Sequence, residues 1–244
     1  MNNDRFFPDH PFYHEYAGLT FDVDWASDAM LEHVISIIKS EGLKATFFAT
    51  HKTPVLENLD PEQFEIGLHP NFRGKLDYDN IVKELKEVYP GAIGARSHGL
   101  YFGSDVLSAY LKSGLRYESN YFLYGMANLH PVRHCVGILQ VPYTWDDQAH
   151  MEYHKPWNWD SFRFNVPGLK IFNFHPVYVY YNISVSTTYH ELKKLGFPLL
   201  SQPDQCRTEG VREMFLSLVR TLKQRNMKTF LMREVLEKET ELIS

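Results

Sequence analysis

The sequence predicts one α/β domain built on a mostly parallel sheet. Two observations carry this. Short apolar runs alternate with helical stretches along the whole length, and several of those runs end in chemistry-bearing polar residues. The chain has 244 residues, 44% hydrophobic and 23% charged, the balance of an ordinary globular protein. That length is normal for a single α/β barrel with one core. No repeat, low-complexity segment or linker divides it. One domain over 1–244 is expected, with 1–17 as an aromatic, His/Pro-rich N-terminal arm packed across the barrel.

The elements follow in order. Leu19–Val23 reads as a strand. Ser27 is a good N-cap for a helix with Met30, Leu31, Val34, Ile37 and Ile38 at helical spacing, and Gly42 suits its C′ position. Lys44–Ala49 and Phe64–Leu68 are strands, and Tyr78–Val88 is a helix capped by Asp77. Ala92–Ala95 is a short buried strand. A helix from Ser104 or Asp105 ends at Gly114, and Arg116–Ser119 is a strand with polar content. Residues 121–168 are irregular, with an extended piece at Val136–Val141 and an aromatic loop over Tyr153–Phe164. Leu169–Phe174 is a strand. A long helix over about Glu209–Arg225, a strand at Lys228–Leu231 and a helix at Arg233–Lys238 close the chain.

Bulk properties exclude some classes. A formal net charge of -5 argues against nucleic acid, and Lys193-Lys194 and Lys223-Gln224-Arg225 read as solvated helix faces. Cys135 and Cys206 are too far apart in sequence for a zinc knuckle and too few for a disulfide framework. The N-terminus lacks a basic segment followed by an apolar region, and no apolar run approaches ~18 residues. A cytoplasmic setting without a membrane span is expected.

The rims of parallel sheets sharpen the reading, because chemistry in such folds gathers at the C-terminal strand ends. Asp22 and Asp24 end the first strand, His69 the third, Arg96-Ser97-His98 the fourth and His175 a late one. Carboxylates spaced i, i+2 on a strand lie on one side of the pleat, ~6–7 Å apart, where one can bind a metal and the other handle water. The bland readings are loop carboxylates bonded to their own backbone and half-buried histidines bonded to carbonyls. The i, i+4 pairs His10/His14, His130/His134 and His150/His154 lack a metalloprotease glutamate and read as loop or surface histidines. Tyr153, Trp157, Trp159, Phe162 and Phe164 form either a sugar-stacking wall or a lid packed on the barrel.

These residues resemble a known family. Leu19-Thr20-Phe21-Asp22-Val23-Asp24-Trp25, Lys44-Ala45-Thr46-Phe47-Phe48, Glu65-Ile66-Gly67-Leu68-His69, Arg96-Ser97-His98 and Asn173-Phe174-His175-Pro176 are similar, in this order, to motifs of the polysaccharide deacetylases. These are NodB-homology proteins of carbohydrate esterase family 4, and the WbmS-type group of surface-polysaccharide loci is the nearer match. The resemblance spans roughly 18–235 and implies a distorted (β/α)7 barrel. It implies Asp22 as catalytic base, Arg96 orienting it, and His175 as general acid, with Trp145-Asp146 matching an acidic motif that adds Asp146 to the catalytic residues. Trp145, Asn71 and Tyr101 are then expected to bind substrate. The metal would sit on Asp24 and His69. Arg73 stands where a second histidine is usual and cannot bind a cation, so His98 is the expected replacement, with Asn71 its competitor. The implied cofactor is a divalent metal, zinc first, with cobalt, manganese or nickel also compatible. The implied partner is a carbohydrate that loses an N-acyl group, nucleotide- and lipid-linked forms included. A metal-free glycan-binding barrel and a small-molecule amidohydrolase are the alternatives.

Overall fold

The computed structural model of the protein describes residues 11–201, 203 and 209–243. In chain order the elements are α1 (Pro11–Glu15), β1 (Tyr16–Asp22), α2 (Asp28–Ser40), β2 (Ala45–Ala49), α3 (Pro54–Glu57), β3 (Phe64–Leu68), α4 (Tyr78–Val88), β4 (Gly94–Ala95), α5 (Ser104–Lys112), β5 (Tyr117–Glu118), β6 (Val132–Arg133), β7 (Leu139–Gln140), β8 (Trp145–Asp146), α6 (Asp147–Glu152), β9 (Ile171–Phe174), α7 (Pro176–Tyr181), α8 (Ser186–Lys194), α9 (Val211–Gln224), β10 (Lys228–Phe230) and α10 (Met232–Ile243). The expected arm differs. Residues 1–10, His10 included, lie outside the described residues, as does Cys206, while Tyr16 and Ala17 already belong to β1. Among the described residues no helix is long and apolar enough to cross a membrane.

The strands run β6-β7-β5-β4-β3-β2-β1-β9-β8, with β10 beside the first half of β1. Every pairing is parallel except β6 with β7. Thr20 sits opposite both Thr46 and Asn173, and Leu68 opposite Ala95. A parallel bridge between Phe122 and Tyr143 continues the wall between the β5 and β8 regions. The result is a distorted α/β barrel with helices around it.

Strand alternation builds two cores from one sheet. Ala17, Leu19 and Phe21 of β1, Phe47 of β2, Leu68 of β3 and Phe172 and Phe174 of β9 face the helices and join the larger core. Alpha2 contributes Met30, Leu31, Val34, Ile35 and Ile38, so the buried stripe takes in Ile35 while the expected Ile37 is only partly buried, and Gly42 follows the helix with φ +64°. The alternate positions point into the barrel. There Phe48, Tyr117, Tyr143, Ile171 and Phe230 form the second core, closed by Met232, Val235 and Leu236 of α10. The first amides of α10 are capped from other strands, Met232 N–H by Thr46 Oγ1 and Arg233 N–H by Glu65 Oε2. Gly67 and Gly94 make room for these rings. A Cβ at Gly94 would lie 1.8 Å from the Tyr117 ring, and one at Gly67 2.6 Å from Phe48.

Candidate active site

The interior positions at the C-terminal strand ends carry polar residues instead of rings. Asp22 ends β1, His69 follows β3, Arg96 follows β4, and Asn173 and His175 lie on and after β9. All of them are buried. A polar group so enclosed must find partners or be costly, and these find one another.

Arg96 is the hub, with no exposed surface. Its guanidinium lies between the rings of Phe48 and Tyr143, at 4.6 and 4.1 Å from their centres. It donates to Asp22 Oδ1 at 3.0 Å, Asn173 Oδ1 at 2.5 Å, and Ser119 O and Oγ at 2.9 Å. Asn173 completes the grip by donating its amide to Asp22 Oδ2 at 3.0 Å and Asp146 Oδ2 at 2.9 Å. Burial pushes the Asp22 carboxyl up, but Arg96, His69 and His175 outweigh it and hold it below the usual carboxylate range.

Asp24 arrives by a different route from the one its spacing suggests. Beta1 stops at Asp22, and Asp24 sits in the following turn with φ +47°, a left-handed conformation that aspartate tolerates. Its Oδ1 faces His69 Nε2 at 3.2 Å and His98 Nδ1 at 2.9 Å. His69 gives its other nitrogen to Arg96 O at 2.6 Å, which leaves the Nε2 lone pair free for the site. Burial raises the Asp24 carboxyl, and the neighbouring imidazoles of His69, His98 and His175 reverse this, leaving it far below its ordinary value.

Ligand atoms of Asp24, His69 and His98 all lie within 4.8 Å of one another. Donors on a tetrahedral ion at ~2.05 Å stand about 3.3 Å apart, close to the two carboxylate–imidazole separations above. Two imidazoles and one carboxylate are also a donor set that zinc accepts. The residues present therefore fit a divalent cation. Arg73 is exposed and outside this group, and Asn71 spends its amide oxygen on the Arg73 N–H at 3.1 Å.

His98 is delivered by a tight turn, residues 98–100, with Gly99 and Leu100 both at positive φ. Asn120 clamps the turn at both ends. Its oxygen accepts from Ser97 N–H at 2.8 Å, and its amide donates to Tyr101 O at 3.3 Å and to Glu118 Oε2 at 2.7 Å.

Across the donor trio stands His175, with Nε2 3.9 Å from Asp24 Oδ2. The carboxylate that holds it is Asp147, absent from the expected set. Asp147 Oδ1 lies 2.6 Å from His175 Nδ1, and Asp147 Oδ2 accepts the His175 backbone N–H at 2.7 Å. Burial lowers the imidazole, but Asp147, Asp24 and Asp146 raise it well above 6.5. Burial pushes the Asp147 carboxyl up to about 6 against the pull of His175. The shared proton belongs on the imidazole.

Several expectations are corrected. Asp146 does not touch the His175 ring. It accepts from Ala149 N–H at 2.9 Å as the N-cap of α6 and binds Asn173. Trp145 lies on the opposite face of β8, 2% exposed in the helix-facing core against Trp159 and Phe174, and cannot bind substrate there. Asn71 is in its own turn, and the Tyr101 ring lies at the surface while its carbonyl ties down the His98 turn. His150 is buried, not a surface histidine. Its Nδ1 accepts from Tyr124 Oη and Trp145 Nε1, its Nε2 donates to Pro156 O, and burial lowers its pKa. His14, His130 and His154 are exposed, and His134 is half-buried. Within the aromatic loop Trp159 and Phe164 are buried in the core, with Trp159 donating to Met214 O, Trp157 and Phe162 pack partly against it, and Tyr153 is exposed.

The WbmS-like polysaccharide deacetylase profile matches residues 19–193. The chain belongs to that family of polysaccharide deacetylases. It is similar to a solved structure from Bordetella bronchiseptica, WbmS, a candidate polysaccharide deacetylase involved in O-antigen biosynthesis. The two are 31% identical with a TM-score of 0.77, over 86% of this chain and 91% of that one. The Bc1960 peptidoglycan N-acetylglucosamine deacetylase shares the fold at 13% identity and TM-score 0.55, over 92% and 89% of the chains. The structure of a candidate polysaccharide deacetylase from Mycobacterium smegmatis does so at 14% identity and TM-score 0.50, over 92% and 96%. No curated protein sequence matches this chain.

Proposed function

We propose that the protein is a metal-dependent hydrolase that removes an N-acyl group, acetyl or formyl, from an amino sugar of a surface polysaccharide or its precursor. One observation carries this. An ionised carboxylate, Asp22, and a proton-bearing imidazole, His175, flank the Asp24–His69–His98 donor trio.

A divalent cation on that trio, zinc first, supplies a Lewis acid that polarises the acyl carbonyl and acidifies water. The protein's residues supply the rest. Arg96 and Asn173 hold Asp22 ionised with both oxygens fixed, so it accepts the proton of the attacking water. Water adds to the acyl carbon, and the carbon–nitrogen bond breaks. His175 gives its Nε2 proton to the departing nitrogen, while Asp147 on Nδ1 keeps the ring oriented and stabilises its charge. The products are a carboxylate and an amino sugar.

The test pairs two measurements. Protein incubated with zinc, cobalt or manganese should bind close to one ion and release acetate from N-acetylated amino sugars. His69→Ala and His98→Ala should each weaken metal binding more than about 100-fold, because each removes a direct ligand, whereas outer partners are worth 10–100-fold. Asn71→Ala should have little effect. Absence of both metal and acetate would leave a glycan-binding barrel, and the reverse ranking of His98 and Asn71 would move the third ligand.

A further inference from the structure

A pocket opens directly beside Asp24, and nothing in the proposed chemistry uses it. Trp25, Val177, Tyr189 and Phe197 give it largely apolar walls around a volume of about 270 Å³, with Asp24 and Lys193 as its charged lining. Asp24 is half-buried and lies on the side of the donor trio, whereas Lys193 is exposed on the solvent side. The aromatic wall is continuous with the site. The Tyr178 ring stands 5.1 Å from His175, Tyr189 5.2 Å from Tyr178, and Phe197 5.6 Å from Tyr189. Trp25 is 57% exposed and meets His98 edge-on at 5.0 Å. An indole left that open, one residue from a candidate metal ligand, has a face available to a ligand.

We propose that this pocket is a subsite for an acidic sugar: a glycosyl ring that stacks on Trp25 and Tyr189 and carries an oxyanion, carboxylate or phosphate, paired with Lys193. The inference rests on the deacetylase reading above. Size and chemistry set the class. Sites for drug-sized ligands run about 300–1,000 Å³, so a pocket just below that range holds one ring and a small substituent. Aromatic faces suit the apolar face of a pyranose, and a purely apolar ligand would have no use for the cation. The Lys193 ammonium lies 5.8 Å from the Tyr189 ring centre and, among the described residues, has no carboxylate partner. Its charge is therefore available to a ligand that reaches from the donor trio across the Tyr189 ring. Deacetylation beside it would act on an acylated amino sugar that is itself acidic, that is linked to an acidic sugar, or that bears a phosphate at its anomeric carbon.

The experiment compares three probes by isothermal titration calorimetry on zinc-loaded protein: N-acetylglucosamine, N-acetylglucosamine 1-phosphate, and the disaccharide of glucuronic acid and N-acetylglucosamine. At least one anionic probe should bind about five- to tenfold tighter than the neutral one, the gain of a single hydrogen bond from a solvent-exposed ammonium. Lys193→Ala should bring that ratio close to one, Lys193→Glu should invert it, and Trp25→Ala should weaken all three probes. Preference for the phosphate or the uronate identifies the oxyanion. Equal binding of neutral and anionic probes, no binding of either anionic probe, or a preference that survives Lys193→Glu overturns the proposal. Acetate release is read separately. An inactive protein that keeps a Lys193-dependent preference removes the deacetylase reading and leaves the subsite. An active one without charge preference removes the subsite alone.

Discussion

The two ends of the barrel interior each bury a carboxylate, and they hold it in opposite ways. At the rim, Asp22 has the Arg96 guanidinium on one oxygen and the Asn173 amide on the other, and its pKa is lowered. At the floor, Glu65 is equally enclosed. It accepts from Tyr117 Oη at 2.8 Å, Thr46 Oγ1 at 3.2 Å and the Arg233 N–H at 2.7 Å, and burial outweighs them and raises its pKa. Both lie on inward positions: the register sets Glu65 level with Thr20, two strands away and two residues, or roughly 7 Å, before Asp22 along the strands. Burial alone favours the neutral acid in both places. A fixed cation, itself held by two aromatic rings, is what keeps the rim carboxylate ionised. The floor carboxylate ties β2, β3 and α10 together.

The largest effect should come from taking the charge away at the rim. Asp22→Asn keeps the shape but cannot accept a proton, so kcat should fall 10²–10⁴-fold with little change in KM. The metal content should stay near that of the parent, because the donor trio is untouched. Stability should drop by up to about 3 kcal/mol, since Arg96 is left as a buried charge. An Asp22→Asn variant that turns over like the parent would break the comparison, because rim and floor carboxylates would then differ in nothing that matters to catalysis.

A smaller effect tests another buried carboxylate, Asp147. Asp147→Asn leaves a hydrogen-bonding side chain against His175 but removes its charge. Asp147 raises the His175 pKa, so the variant should have a lower one. A general acid must carry its proton, and activity is lost as pH rises through its pKa. The alkaline limb of kcat/KM should therefore move to lower pH, with a loss of about 10–100-fold at neutral pH. An alkaline limb that stays in place would assign it to another group.

How much of this was legible in the sequence follows the same line. The rim residues were, because each follows an apolar run and parallel strands share one exit. Asp24 was found for an incomplete reason: the pleat carries only to Asp22, and a left-handed turn does the rest. Asp147 was hidden by its neighbour. In Trp145-Asp146-Asp147 the acidic partner falls on either residue, and only the N-cap geometry of α6 decides that Asp146 faces Ala149 and Asn173 while Asp147 faces His175. Alpha7 was illegible by periodicity. Pro-Val-Tyr-Val-Tyr-Tyr is buried on every side, so it shows no amphipathic stripe, and its β-branched and aromatic residues favour a strand. His150 is inward only because Tyr124, Trp145 and Pro156 converge on it, a contact set with no local signature.

The smallest effect belongs to the floor. Glu65→Gln should leave kcat, KM and metal content unchanged, because the hydrogen bonds of Glu65 go to Tyr117, Thr46 and Arg233 and to no rim residue. Its signature is in stability against pH. The folded-state pKa of Glu65 is raised above its unfolded value, so the folded protein binds the proton more tightly than the unfolded chain. That contribution is fully present below the unfolded value and is lost as pH rises through the folded one. A glutamine has no such slope. It also keeps one oxygen as acceptor but turns the other into an amide, which leaves the Arg233 N–H or the Tyr117 hydroxyl short of a partner at a cost of about 1 kcal/mol. Urea unfolding of parent and variant should therefore show the variant less stable in mild acid and gaining on the parent as pH rises toward neutrality and above. Asp22→Asn should do the opposite. The folded pKa of Asp22 is lowered, so its contribution is present above the unfolded value and lost as pH falls, and removing it should cost most at neutral pH. Opposite slopes for the two variants would establish that one barrel holds these two buried carboxylates in different states. Parallel slopes would show that the Arg96 pairing does not decide which of them is charged.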